Sequence, residues 1–152
     1  MSSPIDLTLP APAANFVPHR PPMLQIETLE EFTEAEVVVS AHVSKENPLV
    51  DEQGNLMDAG LIEMMAQAYA ARQGYADRAA GGAVREGYLV GLRDCRVLGR
   101  ASLGDRLIIR LRGLMVMDGF ALAEGGVFRG EDKLAEGTLK LWIRPTGEAG
   151  ST

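Results

Sequence analysis

One segment limits the folds open to this chain more than any other: Leu61-Ile62-Glu63-Met64-Met65-Ala66-Gln67-Ala68-Tyr69-Ala70-Ala71. Ala, Leu, Met, Glu and Gln are the strongest helix formers. The run is apolar around most of its circumference, and a helix of that kind is buried on several sides. The sequence after it has strand character. Tyr88 to Val97, Arg106 to Met117, Ala121 to Arg129 and Leu134 to Ile143 each read as a strand, separated at Asp118-Gly119 and at Gly130-Glu131-Asp132. Asp-Gly between two apolar runs predicts a tight hairpin. Before the helix, Met23 to Ile26 predicts a short strand, and Phe32 to Val43, with Val37, Val38 and Val39, a longer one. A single antiparallel sheet of about five or six strands can bury one face on one helix, so the expected class is α+β with the sheet wrapped around a long central helix.

A chain of 152 residues suffices for one domain. The expected layout is an extended lead-in over 1–15, the domain over 16–145 and a flexible tail over 146–152. The helix is expected to begin at Met57 or Asp58, with Asp58 or Asn55 as its N-cap. It is expected to stop near Gly74, because glycine is the usual residue just past a helix end. Lys45 to Asn55, with Pro48 and Gly54, reads as a loop, and Ala76 to Gly87 as a mobile connection with at most a residual helical turn.

Charge narrows the partners. A formal net charge of −6 argues against a nucleic-acid backbone or an anionic membrane as the main partner. Arg93, Arg96, Arg100, Arg106, Arg110 and Arg112 are nevertheless crowded together, and Arg93, Arg96 and Arg100 could meet a small acidic partner or a phosphate-bearing ligand, or simply form a solvated strand edge. Cys95 is the single cysteine, which leaves no intrachain disulfide. Neither a secretory signal nor a run of membrane-spanning length is visible, so cytoplasm is the default expectation, with no membrane insertion. His19 and His42 are too isolated to suggest metal ligation, and the glycine pairs match no phosphate loop, so no metal or cofactor is expected.

Glu63 is the feature that asks for a function. A carboxylate set among side chains that want burial is either solvated at the edge of the buried stripe, near the positive helix end, or placed for a purpose. Gln67 stands four residues on, on the same helix face, so two polar groups interrupt an apolar helix together.

Several pieces of the chain resemble the 3-hydroxyacyl-acyl-carrier-protein dehydratases. Pro18-His19-Arg20-Pro21-Pro22-Met23-Leu24 resembles the opening of that family, and Ile62-Glu63-Met64-Met65-Ala66-Gln67 its Glu-x-Met-Ala-Gln helix segment. Tyr88-Leu89-Val90-Gly91 and Gly104-Asp105-Arg106-Leu107 are similar to its central strand and its Pro-Gly-Asp turn. The pieces keep their order across about residues 16 to 143. The resemblance implies a hot-dog fold, usually a homodimer, with higher or hetero-oligomers also compatible. The sequence departs from the common family in one loop: Asn47 to Asp58 holds no histidine where Gly-His-Phe-Pro-Gly would stand. The pattern looks closer to the divergent dehydratases of aryl-polyene clusters, which share the short Ile-Glu-x-Met-Ala-Gln form of the helix.

What the resemblance implies is removal of water from a (3R)-3-hydroxyacyl thioester on acyl-carrier protein, giving a trans-2-enoyl thioester. A base must take the C2 proton, an acid must assist loss of the C3 hydroxyl, and donors must hold the thioester oxygen. Glu63 would supply the carboxyl and His19 the imidazole, met across a dimer interface. His42 reads as a structural residue of its strand. The amides near Ala59 and Gly60 would hold the thioester oxygen, with Gln67 and Gly91 positioning the substrate. Met64, Met65, Ala68, Leu89, Leu92 and residues 114–117 are candidates for the acyl lining or plain core, Met64 and Leu89 foremost. Two other readings stay open: a thioesterase that uses Glu63, and a non-catalytic hot-dog subunit paired with an active relative.

Overall fold

The computed structural model describes residues 6–145. A 22-residue helix, α1 (Asp58–Ala79), lies in the palm of one curled sheet. In chain order the strands are β1 (Ala11–Pro12), β2 (Thr28–Phe32), β3 (Glu36–His42), β4 (Gly87–Val97), β5 (Arg106–Met117), β6 (Phe120–Arg129) and β7 (Asp132–Ile143). Their order across the sheet is β1-β2-β3-β5-β6-β7-β4, and each paired neighbour is antiparallel. The sheet therefore has seven strands rather than five or six: the two-residue β1 is unexpected, and β2 overlaps an expected strand only at Phe32. No helix among the described residues is long and apolar enough to cross a membrane.

Alternation explains the layering. Val37, Val39 and Ala41 of β3, Leu107, Ile109 and Leu111 of β5, and Ala121, Ala123 and Val127 of β6 point inward and are buried. They meet Leu61, Met64, Met65, Ala68 and Ala71 of α1 in one continuous core. The Asp118-Gly119 hairpin forms as expected, with φ of 53° and 82°, the left-handed geometry of a type I′ turn.

The differences from expectation lie before the helix and at its ends. Met23 to Ile26 forms no strand, and Phe32 ends β2 rather than opening β3. Thr33 makes the break: its Oγ1 accepts from the Ala35 and Glu36 amides and folds the chain into a hairpin. Met57, not Asp58 or Asn55, is the N-cap, and it makes no side-chain cap bond. The helix runs past Gly74 to Ala79, because that glycine serves a close approach. A Cβ there would stand 1.7 Å from the Phe16 carbonyl oxygen. The lead-in is correspondingly not free: Ala11 and Ala13 are buried, and a short 3-10 turn, Ala13–Asn15, packs on the core. Residues 1–5 of that lead-in and the expected tail at 146–152 lie outside the described residues.

Candidate active site

The site grows from one face of α1. Glu63, Ala66, Ala70 and Gln73 are half-buried at helical spacing, with small alanines between the polar groups. Gln67, beside them, is 1% exposed. Its Oε1 accepts from the Gln25 backbone N–H at 2.7 Å. Its Nε2 donates to the Met23 carbonyl at 3.0 Å and to Glu63 Oε1 at 2.9 Å. The segment expected to be a strand is instead irregular backbone: Gln67 satisfies the Gln25 N–H and the Met23 carbonyl, and the Met23 and Leu24 N–H groups donate to the Arg20 carbonyl.

His19 reaches the same face through the N-terminal segment. Phe16 and Val17 are buried, with the Phe16 backbone seated on Gly74, and Arg78 Nε donates to the Asn15 carbonyl at 2.7 Å. Arg20 Nη1 then donates to the Val17 and His19 carbonyls, closing the proline-rich turn on itself. His19 is half-buried, and its Nδ1 is buried without a partner among the described residues. A buried polar atom left without a partner is uncommon and asks for a ligand or a function.

His19 and Glu63 of a single chain line one pocket of about 160 Å³. Ala66, Gln67, Tyr69, Ala70 and Gln73 of α1 line it too, with Gly87, Tyr88 and Leu89 of β4 and Leu141 and Ile143 of β7. Arg85 closes one side. Its guanidinium meets the buried Asp77 carboxylate at 2.9 Å, and its backbone N–H donates to the same carboxylate. Gln73 donates there as well. The connection expected to be mobile is thus latched onto the helix end. Burial pushes the Tyr69 phenol above its ordinary range against the opposing pull of Arg72, so Tyr69 presents a neutral hydroxyl.

The other sequence candidates fall into three groups. Gln67 and Leu89 line the pocket. Met64 does not: it is fully buried on the core side, as are Met65 and Ala68. Ala59, Gly60 and Gly91 also stand outside the lining. The Gly60 N–H already donates to the Met57 carbonyl, and a Cβ at Gly60 would meet Leu56 at 2.6 Å, so this glycine admits the buried Leu56 against the helix start. Leu92, Met115, Val116 and Met117 are exposed, and so are Arg93, Arg96 and Arg100, of which Arg96 pairs with Glu136. His42 sits exposed at the end of β3. Sequence reasoning misses Tyr69, Gln73 and Arg85. Gln73 follows Glu63, Ala66 and Ala70 at helical spacing, so it is legible; Arg85 gives no signal, since only the fold brings it to Asp77.

A larger depression of about 410 Å³ on the sheet's outer face has a different character. Its cations are matched across strands or within one, Arg110 to Glu36, Arg112 to Glu124 and Lys133 to Glu136. The smaller pocket, in contrast, joins an unpartnered imidazole to a carboxylate between apolar walls.

The family model for the ApeP dehydratase matches residues 11–149 of the chain. A chain of the solved dehydratase heterocomplex ApeI:P from Xenorhabdus doucetiae is 26% identical, with a TM-score of 0.83 over 91% of this chain and 95% of that one. A hypothetical thioesterase from Streptococcus pneumoniae, solved with coenzyme A, is 14% identical, with a TM-score of 0.61 over 76% and 84% of the two chains. A mutant of the phenylacetic acid degradation protein PaaI from Thermus thermophilus is 15% identical, with a TM-score of 0.59 over 77% and 91%. At such identity the latter two share the hot-dog fold alone. No curated protein is significantly similar to the chain in sequence.

Proposed function

The chain belongs to the ApeP-like dehydratase family, and on that premise we propose that it removes water from (3R)-3-hydroxyacyl thioesters on acyl-carrier protein. The single observation that carries this reading is the shared pocket of His19 and Glu63. His19, in the place of the loop histidine that this sequence lacks, takes the proton from C2. Glu63 gives a proton to the departing C3 hydroxyl, which leaves as water, and the electron pair from C2 closes the new double bond. The thioester oxygen needs a donor as charge builds there, and Ala59, which stands outside the pocket, is not placed to supply it. Gly60 is excluded too, because it also lies outside the lining and its own N–H is engaged. Leu89, Leu141 and Ile143 keep the site apolar.

A second reading has its own support. The chain resembles a member of a heterocomplex, and β4, at the edge of the sheet, is apolar and open. Leu92 is paired with the fully buried Leu139 and shares its face, yet is itself 50% exposed. A long apolar edge strand is a surface that natural proteins cover. A second hot-dog subunit, a copy of this chain or a relative, would extend the sheet there. Arg93 and Arg100 remain for the acidic carrier.

The experiment supplies 3-hydroxyacyl and enoyl thioesters on carrier protein and on coenzyme A, and follows enoyl product and free thiol together. Enoyl product lost on Glu63→Gln supports dehydration. Thiol release identifies a thioesterase, and no reaction without a co-purified partner identifies a subunit that works only in a pair.

A further inference from the structure

We propose that Gln67 is a positioning residue that decides which oxygen of Glu63 exchanges a proton, and that Gln25 and Asn47 hold it in place. The proposal rests on reading Glu63 as the working carboxyl. The backbone N–H of Gln25 can only donate, so the Gln67 atom 2.7 Å away is Oε1. The Met23 carbonyl can only accept, so the Gln67 atom 3.0 Å away is Nε2. Two independent backbone groups thus leave the amide one orientation, where a side-chain amide usually has two. Its second N–H is directed at Glu63 Oε1, 2.9 Å away. That oxygen faces a donor with nothing to accept a proton, so any proton on Glu63 sits on Oε2.

The lock extends outward. The Gln25 and Asn47 side-chain amides pair reciprocally, at 3.1 and 2.7 Å. Asn47 Oδ1 also accepts from the Leu49 N–H at 2.8 Å. Gln25 is 4% exposed and Gln67 1%, so water is poorly placed to replace these bonds. The loop before the helix, the segment at 23–25 and the catalytic face of α1 become one hydrogen-bonded unit. The loop that lacks the family's histidine carries this anchor instead. Gln67 therefore acts through Glu63, and the substrate contact expected from sequence is not its role.

Two readouts test this. The first needs no turnover: proton–nitrogen spectra of the full chain resolve the Gln67 side-chain NH₂. Both protons should exchange slowly, and Glu63→Ala should move the one aimed at Glu63 while sparing the one bound to Met23. Rapid exchange of both in the native protein would overturn the proposal. The second is turnover of a 3-hydroxyacyl thioester. Gln67→Glu keeps an acceptor for the Gln25 amide, so it tests the idea even if Gln67→Met does not fold. At neutral pH its ionised carboxyl faces Glu63, and kcat should fall about tenfold or more with KM unchanged. The loss should shrink in acid, where the protonated carboxyl at position 67 can donate again. Gln67→Met should lose activity without that recovery. A rise in KM with kcat intact in either variant would make Gln67 a substrate contact and reject the positioning role. If the native protein forms no enoyl product, the dehydratase reading fails, and the spectra still decide the role of Gln67.

Discussion

At the scale of single residues, Glu63 is legible in the sequence because a carboxylate has no reason to sit among Met, Ala and Leu. Its partner is only half legible. His19 stands out because the chain offers no better imidazole, but nothing in the sequence shows what brings it to Glu63: the seat of Phe16 on Gly74 and the two bonds of Arg20 to its own turn. His19→Ala and Glu63→Gln should each lower kcat by about 10²–10⁴-fold with the fold intact, read by enoyl formation and by circular dichroism. Asp105 gives a pH test that is independent of catalysis. Burial works to raise its carboxyl, but the Ser102 amide and the Arg129 guanidinium outweigh that and hold it below the ordinary 3.8. A carboxyl lowered on folding stabilises the native state above its unfolded value and loses that contribution as pH falls through its folded value. The denaturation midpoint of Asp105→Asn should thus lie below that of the native protein at pH 7. The gap should narrow once pH drops under 3.8; a gap that persists in strong acid would remove this linkage.

At the scale of elements, the four strands after the helix are legible to within about two residues, because period-two alternation and turn chemistry act locally. The elements that the sequence pattern misplaces are those set by distant contacts. Gly74 looks like a helix stop, and only the backbone of Phe16, 58 positions away in sequence, explains why it is a glycine inside the helix. Met23 to Ile26 looks like a strand, but Gln67 supplies the hydrogen bonds that a neighbouring strand would have given. Asp77 and Arg85 likewise convert an apparently loose connection into a pocket wall. Gly74→Ala should therefore cost about 2 kcal/mol or more, from a Cβ forced against a carbonyl oxygen rather than into a soft side chain. Urea unfolding measures it. Because the displaced segment carries His19, the same variant should lose activity beyond its loss of folded protein. A variant as stable as the native chain would mean that the N-terminal segment is not seated on the helix.

At the scale of the whole molecule, an acidic chain with one curled sheet has two edges, and they differ. The β1 edge is two residues long, whereas β4 offers eleven. Leu92, Tyr88 and Val90 are about half exposed along it. Leu92→Lys should leave the secondary structure intact and shift the assembled mass toward the monomer in light scattering, since a charge on an apolar edge blocks sheet extension. An unchanged mass would place the interface elsewhere. The assembled protein is also where the central claim, that His19 and Glu63 together expel water, meets its most direct test. That test is single-turnover formation of the enoyl thioester on carrier protein by the native chain, His19→Ala, Glu63→Gln and the double variant. Groups that act as one unit are strongly non-additive, so the double variant should be no slower than the slower single one. Losses that multiply, or full turnover by a folded Glu63→Gln, would contradict the account.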